Sequence, residues 1–342
     1  MAQPERSGGE STLTVVLALA VNLVIAIMKG VAGALTGSAA MLSEAAHSVA
    51  DTVTEVFLLT AVRTSARPAD RRHPFGYGKE RYFWSLLAAV SIFASGALFA
   101  FVEGVSTLRS GEAEQKHVLI GYLVLAVSFA LEATSWWRAL RQVRQEADDA
   151  GRAMLPYLRL IDDPAPKTVL YEDSAALIGL LLAFAGLGLH QLTGSSIADG
   201  LASLLIGLLL ATVAYTLGYT NRGLLIGRQA DPRLVRELQR RLGETAEVDA
   251  VVDLLTMVLG ADRVLLCARL DFDNALGAAD LERACVRIAG ELTEEFPDLH
   301  EIFLEPVPRS DPELRERVLA RYGEVMSQRV GPAKEESPKR AR

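Results

Sequence analysis

The sequence predicts a polytopic α-helical membrane protein with six transmembrane helices and a small cytoplasmic α+β domain at its C-terminal end. Three observations predict it. Half of the 342 residues are hydrophobic, yet 23% are charged, which suits a membrane part joined to a polar part. Six apolar stretches reach the length of about 20 residues needed to cross a bilayer. The charge is also segregated: from Gln229 onward there are 23 acidic and 17 basic residues, so nearly all of the net charge of −7 lies in the last third. The acidic balance argues against nucleic-acid binding. Two cysteines, Cys267 and Cys285, exclude a disulfide framework and a Cys-rich zinc module.

The expected spans are residues 12–34, 38–62, 82–108, 117–140, 169–190 and 197–220. The residues ahead of them, 1–11, read as a polar cytoplasmic tail with no apolar signal region. Arg63, Arg67, Arg71, Arg72, Lys79 and Arg81 follow the second span, and Arg138, Arg141, Arg144, Arg152, Arg159 and Lys167 follow the fourth. Positive loops stay on the cytoplasmic side, so both loops and both termini are expected there. Pro164 and Pro166 suit a helix start before the fifth span. Residues 141–165 read as an extension of the fourth helix and then a loop. The membrane domain is thus expected over 12–228.

The C-terminal third reads helix, strand, strand, helix, strand. Residues 231–242 are amphipathic, 251–259 form a strand, and 260–262 make a hairpin turn. Val264, Leu266, Ala268, Leu270 and Phe272 alternate with more polar residues, the period of a half-buried strand. A helix over 279–296 and a strand over 302–307 complete an αββαβ domain at 229–308, with both helices on one face. The extension 309–342 should be helical from Asp311 to about Gln328 and disordered from Gly331. His300 and Asp253 read as isolated surface residues.

Charges inside a span are expensive and therefore mark function by default. The second span holds Glu44, His47, Ser48, Asp51 and Glu55 at spacings of three and four, which puts them on one helix face. His47 and Asp51, one turn apart, form half of a transition-metal site; the plainer alternative is a polar stripe joining helices. In the fifth span Glu172 and Asp173 are neighbours and point about 100° apart, so at most one naturally faces a given site. Asp173 can approach Asp51 in depth because the two spans run antiparallel; the alternative is a charge pair favoured by the helix dipole. Lys29, Glu103 and Glu132 read as structural ion pairs, and Asp199 as a helix cap. There is no H-E-x-x-H and no G-x-S-x-G motif, which argues against an intramembrane enzyme.

These motifs resemble those of the cation diffusion facilitators. The likeness runs over about residues 12–308 and rests on Ser43-Glu-Ala-Ala-His47-Ser-Val-Ala-Asp51, His73-Pro-Phe-Gly-Tyr-Gly-Lys79, Tyr171-Glu-Asp-Ser-Ala-Ala-Leu-Ile-Gly179 and Ala198-Asp-Gly-Leu-Ala-Ser203. Glu44 and the Glu172-Asp173 pair are similar to the branch containing the mitochondrial zinc exporter of animals. The resemblance implies a homodimer in a lipid bilayer that exports a divalent metal, zinc first, by alternating access in exchange for protons, with no organic cofactor. It implies a transport site from His47, Asp51 and Asp173. The family's fifth-helix histidine falls at Val169, and Glu172 is the expected substitute ligand. A second, weaker site after the second helix is implied at Asp70 and His73, where Tyr77 replaces a histidine. The tail's zinc positions fall at Val252, Ala268 and Leu304, so no dizinc site is expected there. Manganese, iron or cobalt export, or a scaffold that has lost transport, are the alternatives. The short polar N-terminus points to a prokaryotic plasma membrane.

Overall fold

The computed structural model describes residues 8–110 and 116–322. The expected disorder beyond Gly331, the end of the last helix and most of the N-terminal tail lie outside them. The chain forms two compact units, one through Ile226 and one from Gly227.

The first unit is helical. It contains α1 (Gly8–Thr36), α2 (Ala39–Ser65), α3 (Glu80–Ser91), α4 (Leu98–Ser110), α5 (Val118–Asp149), α6 (Met154–Leu160), α7 (Pro164–Thr193) and α8 (Ile197–Ile226). A π-helical segment, Ile92–Ala97, joins α3 to α4 into one rod. Among the described residues, four rods are long and apolar enough to cross a membrane on their own: Glu80–Ser110, Val118–Asp149, Pro164–Thr193 and Ile197–Ile226. Among the described residues of α1, Asn22–Thr36 forms a shorter apolar helix. The middle of α2 carries Glu44, Asp51 and Glu55, so its apolarity falls short of the other rods.

Local chemistry sets the helix ends. Asp163 caps α7 by accepting from the Ala165 amide, and Pro164 opens its first turn. Gly194, at φ 70°, closes it. The extension of α5 ends at Gly151, φ 59°, after which α6 forms where the sequence had suggested a loop. Leu158 of α6 is buried against Ala139, Leu140 and Val143 of α5 and Leu170 of α7; that tertiary contact is what stabilises so short a helix. The core of the unit holds Met41, Ile92, Leu180, Leu187, Ile206, Leu210 and Leu217. Small residues bring the rods close: a Cβ on Gly104 would lie 2.9 Å from the Gly200 carbonyl oxygen.

The second unit contains α9 (Pro232–Gly243), β1 (Val248–Gly260), β2 (Arg263–Phe272), α10 (Ala278–Glu295), β3 (Leu299–Pro306) and α11 (Pro312–Tyr322). The sheet order is β1-β2-β3, with β1 antiparallel to β2 and β2 parallel to β3. Asp262, at φ 54°, sits in the tight β1–β2 turn. Leu238 and Leu242 of α9 and Ala284, Ile288 and Leu292 of α10 share one core with Leu266, Ala268 and Leu270 of β2. Leu314 and Val318 of α11 pack on Val252 and Val307 instead.

Asp253 differs from the expectation of an isolated surface residue. Its carboxylate is buried and accepts from Arg269, at 3.2 Å, and from Arg321 of α11, at 2.9 Å. The β1–β2 register shifts between Val251 and Asp253, and Val252, Asp253 and Leu254 are all buried in succession. His300 is exposed.

Candidate functional site

The functional side chains of the first unit lie where α1, α2, α5 and α7 meet. Ser38 caps α2 by accepting from the Met41 amide. The α2 N-terminus is gripped further by Asp199, at the start of α8, which accepts from Ser38 Oγ at 2.7 Å and from the Ala39 amide at 2.6 Å. Asp199 is thus a cap for another helix rather than for its own. Ser43 and Ser203 hydrogen-bond at 2.6 Å and continue this clamp between α2 and α8.

From that anchored end the polar face of α2 runs inward. Glu44 and His47 are buried, and the His47 Nδ1 lies 3.3 Å from Asp51 Oδ1. Neither ring nitrogen of His47 has a hydrogen-bond partner. A cavity of about 490 Å³ opens beside Asp51. Ser48, Asp51 and Glu55 line it from α2, Glu132, Ser135 and Arg138 from α5, and Val169, Glu172 and Asp173 from α7. Asn22 of α1 also lines it and donates to Glu55 at 2.6 Å. Asp51 Oδ1, Glu55 Oε2, Glu172 Oε1 and Asp173 Oδ2 are buried without a hydrogen-bond partner. Buried polar atoms are normally satisfied, so this cluster is unusual and suits a cationic visitor.

The structure therefore brings Asp51, Glu172 and Asp173 to one cavity. Glu172 and Asp173 both reach it, although neighbours on a helix diverge by about 100°. The cavity extends from α2 to α5 around the face of α7 and is broad enough to meet both. His47 is joined to this group through Asp51 and is not part of the lining. Val169 lines the cavity with an alkyl side chain, so its position supplies no donor atom. Among the described residues, no three His, Cys, Asp or Glu side chains are gathered closely enough to hold a metal ion as they stand. The arrangement is a cavity lined by carboxylates from three helices.

Asp70 and His73 lie apart, in the exposed segment between α2 and α3. Asp70 is occupied by its own loop: Oδ2 accepts from Tyr77 Oη at 2.7 Å, and Oδ1 accepts from the Arg72 and His73 amides. The Tyr77 hydroxyl, first, and these amides hold the Asp70 carboxyl below the usual range. The His73 ring packs against Tyr77 in a tilted pair, with centroids 4.2 Å apart and planes at 41°. The geometry is that of a closed turn.

Sequence reading placed Glu55 on the correct helix face but left it out of the site, and it had no signal for Asn22, Ser135 or Arg138. The i, i+4 spacing from Asp51 could have found Glu55. The other three depend on how α1 and α5 pack.

Comparison with known proteins adds four findings. The profile of the cation efflux transmembrane domain matches residues 15–226. The chain is 36% identical, over 76% of its length and 46% of the relative's, to a Xenopus laevis protein named proton-coupled zinc antiporter SLC30A9, mitochondrial. It is 31% identical to the Homo sapiens protein of that name, over 93% of this chain and 54% of the relative. It is 24% identical to the manganese efflux system protein MneP of Bacillus subtilis, over 85% of this chain and 94% of that one. The chain spans about half the length of the SLC30A9 relatives it matches.

Proposed function

The chain belongs to the cation diffusion facilitator (cation efflux) family, and on that premise we propose that it exports a divalent transition metal, zinc first, in exchange for protons. The observation that carries this reading is the cavity in which carboxylates from two separate helices, Asp51 on α2 and Glu172 and Asp173 on α7, present buried oxygens without hydrogen-bond partners. Donors split between two helices can be brought together or drawn apart by a small helix movement. That is what a site needs if it is to bind a cation from one side and release it to the other.

In this reading His47 and Asp51 form one half of the site and Asp173 the other, with Glu172 taking the place left by Val169. One imidazole among carboxylates favours zinc, while an all-oxygen set would favour manganese or magnesium. Each donor binds metal only when deprotonated. Metal loading therefore expels protons, and reprotonation expels metal, which is the chemical basis of exchange. All six long rods of the first unit serve as spans, α2 being the polar one that carries the site. The Arg-rich ends of α2 and α5 lie on the cytoplasmic side by the positive-inside rule. The domain limits stay at 12–228, 229–308 and 309–342, with two copies forming a homodimer. The relatives named above as zinc antiporters are mitochondrial by name, and the membrane of residence for this chain follows from locating it in its own cells.

The test is flux in proteoliposomes loaded with a metal-sensitive dye. Zinc is expected to move in response to an opposed pH gradient, with manganese a weak competitor. Glu172→Gln is expected to weaken zinc transport by about tenfold through loss of one donor. Manganese flux exceeding zinc flux would reassign the metal, and absence of flux with either would refute the transport reading.

A further inference from the structure

Lys29 is fully buried in the helical unit, an expensive place for a charge. Its ammonium donates to Ser48 Oγ at 2.8 Å and to Glu44 Oε2 at 3.2 Å, and it lies 3.9 Å from Glu132 Oε1. Three helices, α1, α2 and α5, thus meet on one nitrogen. Two of its contacts, Ser48 and Glu132, are also walls of the acidic cavity. Glu44 is not; it lies beyond that end, with its carboxylate packed against Gly179 of α7 so closely that a Cβ there would collide with it. Met41, Ala45 and Ser128 around this end are buried too. The cavity runs the other way, toward Leu58 and Gln142. The ammonium therefore stands at the closed end of the cavity. Ser48 precedes Asp51 by three residues, a rise of about 4.5 Å along the helix.

We propose that Lys29 is a tethered cation that stops the cavity at its closed end, limits the affinity of the site for a dication, and must leave Ser48 before a metal can pass beyond Asp51. This rests on the transport reading. The charge logic is direct. The lining carries five carboxylates, Asp51, Glu55, Glu132, Glu172 and Asp173, against Arg138. A site so acidic would hold a dication too firmly to release it. A fixed positive charge within one helical turn repels the metal and makes release possible. It also occupies the only carboxylate on the far side, Glu44, that a metal moving along α2 would meet next among the described residues. A buried ion pair is a weak source of stability by itself, so a pair kept at this place is better explained by its charge than by its contribution to folding.

The decisive variant is the double substitution Lys29→Met with Glu44→Gln, which removes the ammonium while keeping the local charge balanced and the volumes similar. Equilibrium zinc binding to the detergent-purified full chain and zinc flux in proteoliposomes are measured together. Because the ammonium touches the cavity wall at Ser48 while the Glu44 carboxylate lies beyond it, loss of both is expected to tighten zinc binding about threefold and to slow turnover, because release becomes limiting. Lys29→Arg, which keeps the charge, is expected to follow the wild type. Ser48→Ala, which frees the ammonium from the cavity wall, is expected to shift affinity in the same direction by a smaller factor and serves if the double variant does not fold. Wild-type flux with unchanged affinity and turnover in the double variant or, should it not fold, in Ser48→Ala would overturn the proposal and leave Lys29 as a structural tie. Absence of flux in the wild type would instead sink the transport reading beneath it.

Discussion

The two units treat buried and clustered charge in opposite ways. In the C-terminal unit carboxylates are matched to arginines: Arg241 reaches Glu291 and Glu295, Arg287 reaches Glu247 and Glu291, and Arg269 reaches Asp253 and Glu305. In the helical unit Asp51, Glu172 and Asp173 face a cavity with oxygens left without hydrogen-bond partners, and Lys29 is spent on Glu44 and Ser48 beyond them. The first arrangement is closed, and the second is open to a cation. The difference teaches where to look for work in an acidic chain. Net charge points to the tail, but several of the tail's acids are tied to arginines. The function is expected where a few carboxylates do without.

The largest break in this contrast is Asp51→Asn. It removes the group that joins His47 to the cavity, and metal flux is expected to fall by at least about a hundredfold, with the protein still folded. Flux near wild type would move the site away from α2. The next is Asp253→Ala in the tail, which leaves Arg269 and Arg321 without their shared buried partner. It is expected to lower the stability of the C-terminal unit by about 1–3 kcal/mol and to loosen α11, as read by thermal unfolding and hydrogen exchange, while zinc binding by the membrane unit is unchanged. A loss of zinc binding would show that the two charge systems are coupled. The smallest is Tyr77→Phe. The Asp70 carboxyl is held low by the Tyr77 hydroxyl and backbone amides, so its contribution to loop order is present above the ordinary carboxylate range and is lost as pH falls through its lowered value. Removing the hydroxyl should raise the Asp70 midpoint, measured by NMR titration, without altering zinc stoichiometry. A change in stoichiometry would mean that the loop binds metal after all.

Much of the fold was legible because its signals are local. Apolar stretches of spanning length, the prolines before α7 and the period of two in β2 each act over a few residues. α6 and Asp253 were misread for the same reason in reverse. The helix exists through Leu158 packing on α5 and α7, and the aspartate is buried through a register shift and an arginine 68 residues away. In the site, the polar stripe of α2 was visible from spacing alone, since helix geometry fixes which residues share a face. Which residues of α5 and α1 complete the cavity was not.

By itself the sequence determined the chemistry available to this protein. It set an imidazole and a carboxylate one turn apart on α2, two carboxylates on α7, an alkyl group at position 169, and the acidity of the tail. Tertiary structure decided which of these meet. It placed Glu172 and Asp173 on the same cavity despite their divergence on the helix, used Asp199 to cap α2 from α8, enclosed Asp70 in its own turn, and set Lys29 against Ser48. The physical reason is range. Helical periodicity and residue chemistry act within a turn or two, whereas a cavity between four helices exists only once their packing has fixed which faces oppose one another.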